Sequence, residues 1–365
     1  MKKVIKLFII SLLTFASVLG LIACGGADGK TSEKGIICTK LSGDDFYTVI
    51  GYGAEQDESG NDITTLDIAA AAQTKYGNDN TVIVVGRIRA GAFDGNTSLT
   101  EIILKDNTEG GTLTIDAGAF KNMRALKKIT LPFIGANRFS DADYNASEPA
   151  YGDGLKATDK ERLFGYIFGE EENDAAAKVT QSYGDTESQT ATFYLPATLT
   201  QITVNADNAT CVPMYAFCNL PQIASVTLQG NINAIGRKAF NGMAHLKKVN
   251  IPASVKTVYD SAFENATSLK TFGDDGFKID SGSLLEEIKN SAFKGTRLTE
   301  FDFSDTQVKV IGDYAFYGSA LKTIDFSATL ETIGAYAFAN SKDLSITEPT
   351  CTIGVNAFAG TDLRA

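Results

Sequence analysis

The chain has 365 residues, is 44% hydrophobic and carries 33 basic against 44 acidic side chains, a formal charge of −11. That surplus of acid repels phosphate backbones and argues against nucleic-acid binding. With one histidine, His245, and neither an H-E-x-x-H pair nor a G-x-S-x-G elbow, the common histidine-dependent hydrolase sites are missing too.

Residues 1–23 read as an export signal, with Lys2, Lys3 and Lys6 ahead of an apolar run at 7–19. The quartet Leu21-Ile22-Ala23-Cys24 resembles a lipoprotein signal-peptidase box, which implies cleavage before Cys24 and a diacylglycerol on its sulfur. Stable anchoring takes two or more acyl chains, because one holds only marginally. Cleavage leaves 30 basic against 44 acidic side chains, a charge of −14, so attraction to anionic lipid adds nothing to the anchor. No second apolar stretch is long enough to span a bilayer. Residues 24–35 read as a flexible tether.

Residues 36–87 are expected to form an N-terminal cap and lead-in repeat. Phe46-Tyr47-Thr48-Val49-Ile50 is strand-like, a polar turn region follows, and 63–68 and 81–88 lead into the first full turn. The intervening AAAAQTKYGNDN at 69–80 reads as a short helix or loop.

From 88 to 365 one grammar recurs. Ala-Phe pairs stand at 92–93, 119–120, 216–217, 239–240, 262–263, 292–293, 315–316, 337–338 and 357–358. Each pair has Ile or Val four residues before its Ala, and Leu or Ile five or six after its Phe. A period near 23 residues marks a solenoid. A turn of that length cannot enclose a core; it buries its apolar side only against the turns before and after it. The stretch 246–263, LKKVNIPASVKTVYDSAF, shows the unit. Leu246, Val249 and Ile251 lie on a short strand, Pro252 ends it, Val255 and Val258 carry the chain across, and Ala262-Phe263 closes the turn. Strand residues alternate between the core and solvent. The Phe fills the back of the coil, and the small Ala lets neighbouring turns approach.

After Phe120 the spacing between pairs jumps from 27 to 97, although FYLPATLTQITV at 193–204 restores the strand pattern. The insertion is therefore 133–192. Within it, Leu163, Phe164, Tyr166, Ile167 and Phe168 are too apolar for a loop and are expected to dock on the solenoid edge. The acidic stretch 169–189 reads as mobile. A spacing of 30 between Phe263 and Phe293 reads as a loop at 273–283. No polar cap follows Leu363, so the last turn is expected to fray or to be covered.

The segments IGRKAFNGMAHLKKVNIP, IGDYAFYGSALKTIDF and IGAYAFANSKDLSI resemble the BspA-like (Treponema pallidum type) leucine-rich repeats of bacterial surface proteins. LPFIGA at 131–136 and LFGYIFG at 163–169 resemble an insertion seen between such repeats. The likeness covers about 63–363, with Pro132, Pro196 and Pro252 at turns where the usual strand segment ends in Asn or Cys. It implies a right-handed leucine-rich-repeat-like solenoid, mainly β with short turns and helical pieces, with one strand per turn. It also implies adhesion to host or neighbouring-cell proteins.

No catalytic, cofactor or metal site is expected. Asp141-x-Asp143-x-Asn145 opens like a calcium loop, but Ala146 stands where the turn glycine belongs and Gly152 where the bidentate Glu belongs. Cys38, Cys211, Cys218 and Cys351 fit no zinc spacing and read as small core or near-core thiols. A paired-carboxylate glycosidase needs a cleft that a solenoid does not offer. His245, in a spacer between repeats, reads as a surface residue.

What remains is a surface. The outward strand positions form one column of Ile103, Thr130, Thr203, Thr227, Asn250, Asp302 and Asp325, and a second of Glu101, Lys128, Gln201, Ser225, Lys248, Glu300 and Thr323. Both columns lack aromatic residues, which disfavours sugar stacking and a hot-spot cluster. Solenoids use such extended faces to bind partners, so this is the candidate binding face. Tyr215, Tyr314, Tyr317 and Tyr336, beside the Ala-Phe pairs, are a second candidate patch. The sequence points to a non-enzymatic surface protein, lipid-anchored to a membrane and binding a protein ligand. The alternative is a non-adhesive structural or self-associating envelope component, and a carbohydrate-active hydrolase stands third.

Overall fold

A computed structural model describes residues 28–31, 36–40, 46–53, 56, 59–68, 84–105, 113–138, 160–174, 176–184, 189–270, 276–347 and 349–364. Cys24, the stretch 69–80 and the Asp141–Asn145 motif lie outside these residues. The chain is a parallel-strand β-solenoid of about nine turns with almost no helix.

The front ladder runs through Thr65–Asp67, Glu101–Ile103, Lys128–Leu131, Gln201–Val212, Ser225–Ile235, Lys248–Ile251 and Phe277–Ile279, each paired in parallel with the next. Glu300–Asp302 with Thr323–Asp325, and Ser345–Thr347 with Asp362–Arg364, form two further separate pairs. The expected alternation holds: Ile102, Ile129, Ile202, Val226 and Val249 are buried between half-exposed or exposed neighbours, apart from the buried Asn250. Phe277–Ile279 falls inside the stretch read as a loop at 273–283. It is a full rung, displaced along the chain by the preceding 271–275, which lie outside the described residues.

A second ladder lies just before the Ala-Phe turns. It joins the ends of the two long strands to Thr257–Val258, Glu287–Ile288, Val310–Ile311, Thr332–Ile333 and Thr352–Ile353 without a break. Tyr47–Tyr52, Val85–Ile88 and Thr114–Ile115 form its counterpart near the start. There Ile36–Lys40 and Asp28–Thr31 add antiparallel strands that cover the first edge, Asp28–Thr31 coming from within the expected tether.

Behind these ladders the phenylalanines line up. Phe217, Phe240, Phe263, Phe293, Phe316, Phe338 and Phe358 stack in sequence with centroids 4.8–5.3 Å apart and ring planes within 26°. Burying each contributes roughly 2 kcal/mol. The segment 163–169 does not dock on the edge but stands in this line. Phe120, Phe168, Phe164 and Phe217 form a tilted chain of contacts at 6.4, 5.4 and 5.5 Å. Phe120 N–H donates to the Ile167 carbonyl, and Phe164 N–H donates to the Ala216 carbonyl, both at 2.9 Å. A stack missing one Ala-Phe turn would otherwise leave these groups and the ring faces bare. Much of the stretch read as mobile is a hairpin strand, Ala176–Tyr183 pairing antiparallel with Gln189–Pro196. It carries the fully buried Gln181, whose side chain accepts from Gly165 N–H at 2.9 Å and donates to the Ala216 carbonyl at 3.0 Å.

Two columns of left-handed backbone set the back of the coil. The residue before each Ala has φ of 54–69°; only Gly91 and Gly118 are glycine, and Tyr215, Lys238, Ser261, Ser291, Tyr314, Tyr336 and Asn356 are not. The second residue after each Phe has φ of 55–77° and is Gly or Asn in every turn. The conformation costs a residue with a side chain roughly 1–2 kcal/mol. It turns the N–H toward the next coil. Lys238, Phe240 and Gly242 donate to the carbonyls of Asp260, Ala262 and Glu264 at 3.0, 2.7 and 3.0 Å.

Candidate binding surface

The ladder register brings much of the expected face together. Glu101, Lys128, Gln201, Ser225 and Lys248 are register neighbours on successive strands, and Ile103, Thr130, Thr203 and Thr227 form the parallel column. Thr65 and Asp67 start both columns one rung earlier. Lys278 sits opposite Asn250, a position sequence reasoning missed because the inserted residues before it shift the repeat. Glu300 with Thr323, and Asp302 with Asp325, lie side by side on a separate pair of strands.

The two ends of this face differ in charge. Near the start, Lys128 holds Glu101 at 2.8 Å and Lys105 holds Asp67 at 2.9 Å, exposed pairs worth about 0–1 kcal/mol each. Further on, the exposed side chains Glu300, Asp302, Asp305 and Asp325 are all acidic. Asn250 is buried and occupied. Its amide bridges the Leu228 N–H at 2.9 Å and the Leu228 carbonyl at 2.8 Å, and donates to Asp280 at 2.8 Å. It acts as a structural rung where the long strand bends away near Gly230. A shallow groove of about 720 Å³ opens there, between Thr227, Lys248, Ser254, Lys278 and Asp280.

The tyrosine patch is smaller than the sequence suggests. Tyr215 is 1% exposed, with the Arg237 guanidinium 5.8 Å from its ring centroid. Tyr314, 39% exposed, stacks on Tyr336 at 5.0 Å. The hydroxyls of Tyr317 and Tyr336 accept hydrogen bonds from Asn340 and Asn356 at 2.6 and 2.9 Å.

A second depression of about 600 Å³ lies over Gly91, Gly118 and Gly169. Its charges are matched: Lys121 reaches Glu171 at 2.8 Å and Asp94 at 3.3 Å, and Lys160 pairs with Glu170. The hydrogen bond to Glu171 lifts the Lys121 pKa above the ordinary lysine value, with burial opposing it. His245 is exposed, its Nδ1 hydrogen-bonded to the Pro221 carbonyl at 2.6 Å. Among the described residues no three His, Cys, Asp or Glu side chains converge as a metal site. Cys38, Cys211 and Cys218 are buried and Cys351 is half-buried, and none of these four forms a disulfide.

The family model for the BspA type leucine rich repeat region matches the chain in six copies, over residues 82–146, 180–273 and 277–365. The chain belongs to this family. The first gap between the matched stretches of this BspA-type protein, 147–179, contains the improvised rung at 163–168.

Among solved structures, a leucine-rich repeat protein from Eubacterium ventriosum ATCC 27560 is 22% identical with a TM-score of 0.33, over 40% of this chain and 38% of that one. A leucine rich cell surface protein from Faecalibacterium prausnitzii A2-165 is 18% identical with a TM-score of 0.29, over 93% and 87% of the two chains. A leucine-rich repeat protein from Bacteroides ovatus ATCC 8483 is 18% identical with a TM-score of 0.28, over 89% and 91%. No curated protein matches this sequence.

Proposed function

We propose that this BspA-type chain is an exported protein, anchored by lipid on Cys24, whose front ladder binds a protein ligand and serves adhesion to host or neighbouring-cell proteins. The observation that carries the reading is the column Glu101, Lys128, Gln201, Ser225 and Lys248, in register on successive strands. It is polar, of both signs, and each member is half-buried or exposed. Rungs about 4.8 Å apart make a fixed array nearly 20 Å long. Such an array can match a partner's charges at little entropic cost, because strands already hold it. The positive head and apolar run of residues 1–23 support export, and the Leu21–Cys24 quartet supports the anchor. The description of the Faecalibacterium protein as a cell surface protein supports the location.

Capture of purified matrix proteins by the mature chain tests the role, and Lys128→Glu with Lys248→Glu tests the place. Saturable capture that falls at least tenfold in the double variant is the expected result. Unchanged capture would move the site off the front ladder, and association of the chain only with itself would favour a coat. Removal of the protein from intact cells by added protease checks the location.

A further inference from the structure

We infer that the corner of the coil beside Tyr314 binds a hexopyranose unit of a glycan, which stacks on the open face of that ring over Ser291 and Ser261. The site is separate from the front ladder and adds a second class of ligand to the protein one proposed above.

The starting point is the left-handed column before each Ala. Ser261, Ser291, Tyr314 and Tyr336 hold this position in four successive coils with one backbone, φ 54–57°. In the last two coils the column carries rings. Tyr336 and Tyr314 stack at 5.0 Å with planes 9° apart, and Tyr317 leans on Tyr314 at 5.6 Å and 57°. In the two coils before, it carries serines. The repeat puts Ser291 where the next ring of the stack would stand, and its side chain is too short to cover a phenol. Tyr314 is therefore covered on one face by Tyr336 and open on the other. Two further observations agree. Tyr314 is 39% exposed, the only exposed aromatic side chain among the described residues. Asn340 and Asn356 hold the hydroxyls of Tyr317 and Tyr336, whereas among the described residues nothing holds that of Tyr314. The segments that border the corner, 259–264, 287–295 and 312–318, are all described.

The rest of the corner is polar. Lys294 and Glu264 stand in the two preceding coils at the position of Tyr317, and they pair at 3.0 Å. Asn290, exposed beside Ser291, accepts the Asp313 N–H on its Oδ1 at 2.8 Å. The place is thus a slot two coils long, about 10 Å, with an aromatic end wall, a hydroxyl floor and a charge-matched rim. A hexopyranose with equatorial hydroxyls has the same pattern, C–H groups on its faces and hydroxyls round its edge. Its polarised C–H groups meet the negative face of the ring. Its hydroxyls, each donor and acceptor, take the place of water on Ser291, Lys294 and Glu264. An apolar side chain of a protein partner would cover the ring equally well. It would also strip water from the serines and the ion pair with no hydrogen bond in return, so the sugar is favoured.

The test is saturation-transfer difference NMR of the mature chain titrated with methyl β-D-glucopyranoside. Saturable binding is expected, with transfer strongest to the ring C–H protons. Tyr314→Ser removes the end wall by installing the residue that the two preceding coils carry. Ser291→Tyr fills the slot with a third ring, at a backbone angle that Tyr314 and Tyr336 already adopt. Each should weaken binding roughly tenfold or more, and Ser291→Tyr should keep or raise the melting temperature. N-acetylphenylalanine amide, standing in for a protein side chain, should not displace the glycoside. The inference is overturned if the glycoside shows no saturable binding, if either variant binds it like the parent, or if the amide displaces it. Should Ser291→Tyr fail to fold, Tyr314→Ser decides alone. The chain with Lys128→Glu and Lys248→Glu should bind the glycoside like the parent; a loss there would take the sugar away from Tyr314 and overturn the inference as well. Failed matrix-protein capture with glycoside binding intact would remove the protein reading and leave this one.

Discussion

The back and the front of the coil are made from the same turns and are held together differently. At the back, left-handed residues send N–H groups from one turn to the next, and seven phenylalanine rings stack within 26° of parallel. At the front, the ladder of the described residues falls into three pieces, and the charges on its outward positions change from mixed to acidic. Cohesion sits behind, where every turn must present the same groups. The front is left to vary, and variation there is what a recognition surface needs.

The largest test of that division is Phe263→Ala, which removes a ring stacked against both Phe240 and Phe293. Denaturant unfolding should show a loss of about 3–5 kcal/mol. Lys248→Ala at the front should stay within about 0.5 kcal/mol. Equal losses at the two sites would end the comparison.

Gln181→Leu asks whether the improvised rung obeys the rules of the back. It leaves the Gly165 N–H and the Ala216 carbonyl without the buried amide that serves them. A loss of about 2–3 kcal/mol is expected, with faster amide exchange at Gly165. At the front, Asn250→Ala should cost about 1–2 kcal/mol and speed exchange at Leu228, because this one outward position works as structure. Ser261→Gly should raise stability by less than about 1 kcal/mol, since relief at φ 54° exceeds the extra freedom glycine gives the unfolded chain.

The smallest effect lies in the cap. Burial pushes the Cys38 thiol up to about 12 from an ordinary 9.0. An unfolded chain releases this proton first, so the contribution is whole below pH 9.0 and fades as pH rises toward 12. Cys38→Ala should flatten that alkaline decline in melting temperature.

The repeat was legible because its apolar positions have no other use. Eight of the nine aliphatic residues four before each Ala, such as Val258 and Ile288, are core, with Ile353 half-buried, and so are the Ala-Phe pairs and the Leu or Ile that follows each of the first eight. The left-handed column two residues after each Phe was written as plainly, Gly or Asn nine times over, but it is hidden from a reading that tracks only apolar spacing. The column before each Ala was not legible, because Tyr, Lys and Ser do not announce left-handed backbone and the neighbouring turns impose it. Phe164 and Phe168 were read as apolar yet misplaced, since without an Ala-Phe pair nothing marks their phase with the stack. On the face, fixed spacing found Lys128 and Lys248 but lost Lys278, where extra residues shift the rung.

The forward-pointing N–H groups at the back carry one more consequence. Lys238, Phe240 and Gly242 find the same three carbonyls in the next coil that Ser261, Phe263 and Asn265 find in theirs. A coil removed or duplicated whole would therefore hand its neighbours the groups they already expect. Reach can then be gained or lost by gene-level copying in steps of about 5 Å, as a chain is lengthened by links rather than by stretching.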